Sequence, residues 1–163
     1  MKVLNIHKRV IQQPKAEVAK LFDTLSTDND MMLATDKWSP MKLDKGLQIG
    51  SRGGHGPIKY FVTHYQPEKF IQFQFDLKGF NGFHKFELSE LAVNKTELKH
   101  TIDMTTVSSA TFKWAVAIRW LHDAYIEDAF DKVENHFLVT DKKNSKWSFW
   151  VKTLRKLMMP KGK

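Results

Sequence analysis

The chain has 163 residues, twelve Phe, five Trp and no Cys, with a hydrophobic share of 42% that marks it as globular rather than disordered. That length fits one domain with an appendage and buries enough surface to need no staple; the missing thiols exclude disulfides, thiolate metal ligands and thiol catalysis. The net charge of +8 is uneven: residues 141–163 hold eight Lys/Arg against one acid, while residues 1–140 are nearly balanced. The basicity therefore belongs to the tail, and nucleic acid is not the expected partner. No stretch is long and apolar enough to span a bilayer. Met1 to Ile11 mixes Lys2, Asn5, His7, Lys8 and Arg9 with aliphatics, so no signal-peptide core is read there, and the expected location is cytoplasmic.

Residues 3–12 read as a first strand, with Leu4, Ile6 and Val10 on one face. Pro14 suits a first helical position, and Val18, Leu21, Phe22 and Leu25 follow at helical spacing, which predicts a helix over 14–25. Ser26, Thr27 and Asp28 offer caps to a second, short helix carrying Met31, Met32 and Leu33. Five Gly between Gly46 and Pro57 open the sheet proper, with an additional strand expected over 47–52. Four strands follow at 58–65, 69–76, 83–91 and 96–107, separated by Gln66-Pro67-Glu68, Gly79-Phe80-Asn81-Gly82 and Val93-Asn94. From Ser108 to Phe137 there is neither Gly nor Pro. A helix of that length extends about 45 Å, enough to lie across the whole concave face of a curved sheet. The order predicts an α+β fold: an antiparallel sheet of six to seven strands, a long C-terminal helix and two short N-terminal helices segregated to one face.

That order resembles the helix-grip fold of the SRPBCC superfamily, which includes START, polyketide-cyclase and birch-pollen-allergen proteins. The resemblance covers residues 1–139. Its most specific element is Gly53-Gly54-His55-Gly56-Pro57-Ile58-Lys59, similar to the glycine-rich loop of the pollen-allergen branch, with Arg52 before the Gly pair and His55 inside it as departures. The resemblance implies a cavity between sheet and long helix that takes a hydrophobic or amphipathic molecule, lipid-like or aromatic. A minority of the superfamily catalyses cyclisation or related chemistry in that cavity, so it leaves enzyme and carrier both open.

Strand periodicity of two selects the side chains that face such an interior. The inward sets are His84, Phe86 and Leu88; Leu98, His100, Ile102 and Met104; Ile71, Phe73 and Phe75; and Ile58, Tyr60 and Val62. On the long helix, Ala115, Ile126, Ala129, Phe130, Val133 and Phe137 form a stripe with Arg119 and His122 inside it. The candidate ligand-binding residues are therefore Tyr60, Phe73, Phe75, His84, Phe86, His100, Ile102, Met104, Arg119, His122 and Ile126. Apolar walls with a few placed polar groups suit an amphipathic ligand, and the Arg119 fork suits a carboxylate, phosphate or enolate head. The plainer alternative pairs Arg119 with an acid such as Asp123 and leaves each His a hydrogen-bonded wall residue.

Neither a metal nor a cofactor is expected. No His pair stands at i,i+4 around a Glu, and His84 and His100 lie on different strands. His122 and Asp123 are neighbours on a helix and so point about 100° apart, which argues against a local dyad. No Ser sits in a strand-to-helix elbow. The glycine-rich loop precedes a strand and lacks Gly-Lys-Ser/Thr, so it reads as a bend at the sheet edge rather than a phosphate cradle.

Residues 140–163 form a basic appendage. From Ser145 it reads as an amphipathic helix with Trp147, Trp150, Val151, Leu154, Leu157 and Met158 on one face and Lys152, Arg155 and Lys156 on the other. Three partners remain open for that stripe: its own domain (the apolar first half of the long helix being nearest), a second copy of the chain, or an anionic membrane surface. The leading functional expectation is binding of a small hydrophobic or amphipathic molecule. The alternatives are a cyclase- or aromatase-type enzyme using His84, His100 or His122 as acid and base, or an interaction module acting through the tail.

Overall fold

In a computed structural model, which describes residues 1–158, seven strands form one antiparallel sheet in the order β1-β7-β6-β5-β4-β3-β2. They are β1 (Lys2–Ile11), β2 (Lys42–Leu43), β3 (Arg52–His55), β4 (Ile58–Gln66), β5 (Phe70–Phe75), β6 (Phe80–Ala92) and β7 (Lys95–Thr106). Helix α1 (Lys15–Phe22) follows β1. The long helix after β7 is continuous but has three parts: α2 (Ser109–Lys113), a π-helical turn (Trp114–Ile118) and α3 (Arg119–Phe137). A last helix, α4 (Phe149–Met158), closes the described chain. The period-two reading of β4 to β7 holds: Tyr60, Val62, Ile71, Phe73, Phe86, Leu88, Leu98, Ile102 and Met104 are all buried.

Four local readings are corrected or, for β1, completed. Residues 26–33 turn without forming a second helix, because buried Asp30 organises them instead. Its carboxylate accepts the backbone N–H groups of Met32 and Leu33, each at 2.8 Å, and of Ser26 at 3.0 Å, which removes the need for a helical ladder. The strand expected over 47–52 is a turn, and pairing starts only at Arg52, so the Gly53-Gly54 pair lies in β3. A Cβ on Gly54 would stand 1.9 Å from the Ile58 carbonyl oxygen, so glycine there permits close backbone approach as well as a positive φ. In β1 the apolar face is the outer one: Leu4, Ile6 and Val10 are exposed, and the alternate residues Asn5, His7 and Arg9 meet α3.

The fourth correction concerns the long helix. A π turn carries one residue more than an α turn, which rotates everything before it by about 100° relative to a straight helix. The inward stripe therefore runs through Ile126 and His122 to Ile118 and Trp114, not to Ala115. Arg119, which follows the turn at the start of α3, is left outside the stripe beside Asp123. Trp114 is buried, whereas Ala115 and Arg119 are exposed.

The tail returns onto α3, where buried Asp131 accepts the Ser145 N–H and a second buried carboxylate gathers the aromatic donors. Asp128 of α3 accepts the indole N–H groups of Trp38 and Trp147, both at 2.8 Å, and a Lys37 ammonium at 2.9 Å. The Arg155 guanidinium lies between the same two indoles, 4.2 Å from each ring centre, and donates to the Lys37 carbonyl. Helix α4 begins at Phe149 rather than Ser145, and it buries Val151 and Leu154 while Trp150 donates to the Val116 carbonyl at the π turn. Replacing Asp128 by Ala leaves two indole donors and a lysine without their shared acceptor, so Asp128→Ala is expected to cost about 3 kcal/mol. Thermal unfolding should show the loss, and limited proteolysis should cut within residues 140–148 faster than in the parent. An unchanged melt and cutting rate would show that the node does not hold the tail.

Candidate ligand cavity

Between sheet and long helix lies a cavity of about 730 Å³, walled by side chains from β3 to β7, the π turn, α2, α3 and α4. Eight of the eleven residues picked from the sequence line it: Phe75, His84, Phe86, His100, Ile102, Met104, His122 and Ile126. Tyr60 and Phe73 are buried one layer behind, both packed on the His84 ring with centroids 4.7 Å apart. Arg119 is outside. Its side chain is 56% exposed and its Nε is 3.8 Å from Asp123, the pairing left open above. Sequence reasoning missed Trp38, His55, Trp114 and Tyr125. His55 sits in what read as a loop, Trp114 is turned inward only by the π turn, and Trp38 and Tyr125 carry no pattern that separates them from core.

The cavity's polar lining includes His55, His84, His100, His122 and Tyr125, with four cationic side chains beside them. His84 Nδ1 and His100 Nε2 are hydrogen-bonded at 3.3 Å, and His55 Nδ1 and the Tyr60 hydroxyl at 3.1 Å. The outward nitrogens, His84 Nε2 and His100 Nδ1, are buried and have no protein partner; neither have both nitrogens of His122 and the hydroxyl of Tyr125. No Asp or Glu is among the lining residues; the cations Lys37, Lys78, Lys113 and Arg155 are.

Burial holds these histidines neutral. His84 and His100 are pushed well below the ordinary imidazole value by desolvation first and by neighbouring histidines second. His55 is lowered to about 4 by burial, then by His122 and Lys59, and His122 is lowered by burial despite Asp123 beside it. A neutral imidazole carries one N–H and one lone pair. Two neutral rings that share one hydrogen bond must therefore leave one donor and one acceptor over, whichever ring donates. The His84–His100 pair offers that donor–acceptor couple within the cavity wall.

His7 behaves oppositely. Burial disfavours its charge, but hydrogen bonds to Asp123 and Glu127 outweigh this and raise its pKa. His122 and Asp123, expected to diverge, come together at 3.5 Å (Nδ1 to Oδ1) because side-chain reach closes the angle between neighbouring positions.

No family model matches the sequence, and no curated protein matches it. Solved structures do. A protein from Nitrosospira multiformis superposes with a TM-score of 0.64 at 12% identity, over 84% of this chain and 97% of that one. A conserved protein of unknown function from Enterococcus faecalis gives 0.63 at 13%, over 96% and 84%. Norcoclaurine synthase from Thalictrum flavum, in complex with dopamine and hydroxybenzaldehyde, gives 0.63 at 10%, over 86% and 90%. The chain has the helix-grip fold. At these identities the likeness is one of fold.

The neutral histidines make the domain acid-sensitive. For a group whose folded pKa is lowered, the unfolded chain takes up its proton first. Stability is full above the unfolded value of about 6.5 and falls as pH drops toward the folded value, by about 1.4 kcal/mol per pH unit per group. His7, with its raised pKa, adds stability that is fully present below about 6.5 and is lost as pH rises through its folded value, so it leaves the slope below that pH unchanged. The melting temperature should therefore drop between pH 6.5 and 4.5, before most carboxylates titrate. The double variant His84→Leu/His100→Leu should show a shallower slope, and an equal slope in both proteins would contradict the assignment.

Proposed function

We propose that this protein binds a small, predominantly apolar molecule bearing an uncharged hydroxyl-type group in the cavity between sheet and long helix. The His84 and His100 side chains, which line the cavity and whose Nε2 and Nδ1 are buried without a protein partner, carry this reading; the ligand's polar group must reach past the ring edges to meet them. A buried polar group without a partner costs roughly 1–3 kcal/mol, and a ligand supplying one donor and one acceptor recovers it. A carboxylate head would have to meet Lys37, Lys78, Lys113 or Arg155, because Arg119 is outside and His84 and His100 are neutral. The norcoclaurine synthase comparison, solved with dopamine and hydroxybenzaldehyde, provides an instance of hydroxylated aromatic molecules on this fold. Acid–base catalysis by the same histidines is the weaker reading. Imidazoles held well below their ordinary pKa are poor bases at neutral pH, which favours binding over proton abstraction.

Native mass spectrometry of freshly purified protein should show a co-purifying small molecule that is lost on denaturation. With 2-naphthol, naphthalene and 2-naphthoate as probes, naphthol should bind tightest. His84→Leu should remove about tenfold of that preference, the value of one hydrogen bond, while Arg119→Leu should leave it unchanged. Equal affinity for naphthol and naphthalene in the parent would refute the role given to the histidine pair.

A second reading concerns the outer side of the long helix and tail. Phe112, Trp120, Phe149 and Leu157 are exposed among Lys113, Lys152 and Lys156, and Lys113 and Met158 of the same helices also line the cavity. An apolar face ringed by lysines beside the cavity suits contact with an anionic lipid surface. Phe149 and Leu157, 83% and 75% exposed, serve no packing role. The double variant Phe149→Ser/Leu157→Ser should keep the parent's melt yet lose at least tenfold in salt-sensitive binding to phosphatidylserine vesicles. A parent that ignores such vesicles but halves its sedimenting mass on this substitution would assign the face to self-association.

A further inference from the structure

Strand β1 inverts the usual pattern. It exposes Leu4 and Ile6 and turns Asn5, His7 and Arg9 against α3, where Asp123, Glu127, Asp131 and Glu134 await them. Within this seam His7, His122 and Asp123 each offer one ligand atom, and these atoms all lie within 4.8 Å of one another. Two donors at about 2.0–2.2 Å from a common tetrahedral ion lie about 3.3–3.6 Å apart, and Asp123 Oδ1 stands 3.1 Å from His7 Nε2 and 3.5 Å from His122 Nδ1. The surroundings are also those of a ligand set. Glu127 Oε1 is 2.7 Å from His7 Nδ1, an arrangement that holds the proton on Nδ1 and frees Nε2 to ligate. Asn5 Nδ2 donates to Asp123 Oδ1 at 2.9 Å and fixes that carboxylate. Independently, both ring nitrogens of His122 are buried without a hydrogen-bond partner, so a lone pair there stands unused.

We infer that His7 Nε2, Asp123 Oδ1 and a ring nitrogen of His122 form a binding site for a zinc-type divalent transition-metal ion, with Glu127 as the positioning residue behind His7. Two imidazoles and one carboxylate are borderline donors that suit Zn²⁺ or Co²⁺; Ca²⁺ and Mg²⁺ require oxygen-rich sets. The ion takes the place of the proton that joins His7 Nε2 to Asp123, 3.1 Å apart, and binding therefore releases a proton. Three protein ligands leave a coordination position for water or a ligand atom. Since His122 is also a cavity wall, the ion sits at the border of the cavity. This site does not rest on the cavity reading: His7, Asp123 and Glu127 are not among the cavity's lining residues.

The test uses tag-free, chelator-treated full-length protein, titrated with Zn²⁺ against a chromogenic chelator and with Co²⁺ by visible absorbance. One equivalent per chain is expected, with a four- or five-coordinate Co²⁺ spectrum. His7→Gln, Asp123→Asn and His122→Gln should each weaken Zn²⁺ at least a hundredfold, and Glu127→Gln ten- to a hundredfold. His64→Gln and His136→Gln, at exposed positions, should leave it unchanged. In case a variant fails to fold, Co²⁺-induced paramagnetic shifts of the His7 and His122 imidazoles in the parent provide a second readout. The site is overturned by the absence of saturable one-equivalent binding, by binding that survives Asp123→Asn, or by paramagnetic shifts confined to His64 and His136. Naphthol binding that persists in metal-free protein separates failure here from failure of the cavity reading.

Discussion

The cavity depends on one constraint in the long helix. To grip a curved sheet along its whole length, a helix of about eight turns must keep one face inward, and an ideal α-helix does not do so with this sequence. The π turn Trp114–Ile118 supplies the missing rotation. It turns Ala115 out to the surface, while Arg119, which follows the turn, lies beside Asp123. In exchange it brings Trp114 and Ile118 to the sheet.

Asp128 performs the complementary task at the other end. One fully desolvated carboxylate gathers two indole donors and a lysine from segments more than ninety residues apart in one direction and about twenty in the other. Such a charge is costly alone and acceptable when each oxygen is engaged, as both are here. The consequence is functional as well as structural. Trp38, Lys37 and Arg155, which the node positions, all line the cavity, so the basic tail is part of its wall and not a separate appendage.

Between these two fixtures the interior is polar in an unusual way, with histidines that desolvation keeps uncharged. Neutral imidazoles bind through hydrogen bonds rather than through charge, and they leave a fixed donor–acceptor balance that apolar walls cannot satisfy. His7 and Asp123 lie just beyond His122, where paired charges replace neutral rings. His122 thus stands at the boundary between the cavity's neutral histidines and an ionic seam.

The sequence by itself determined the sheet, the long helix and the inward faces of β4 to β7. Those depend on local alternation and on the absence of Gly and Pro, which are written residue by residue. It also placed His84, His100 and His122 in the interior, because period two and period 3.6 hold within each segment. Tertiary structure alone decided the rest. The π turn is a backbone adjustment that no residue between Trp114 and Ile118 announces, and with it went the positions of Trp114 and Ala115. The inward polar face of β1 has meaning only opposite the acids of α3, which follow it by more than a hundred residues. Asp30 and Asp128 read as ordinary acids until the donors they collect are brought around them, since a hydrogen-bond partner is defined by proximity in space and not by spacing along the chain.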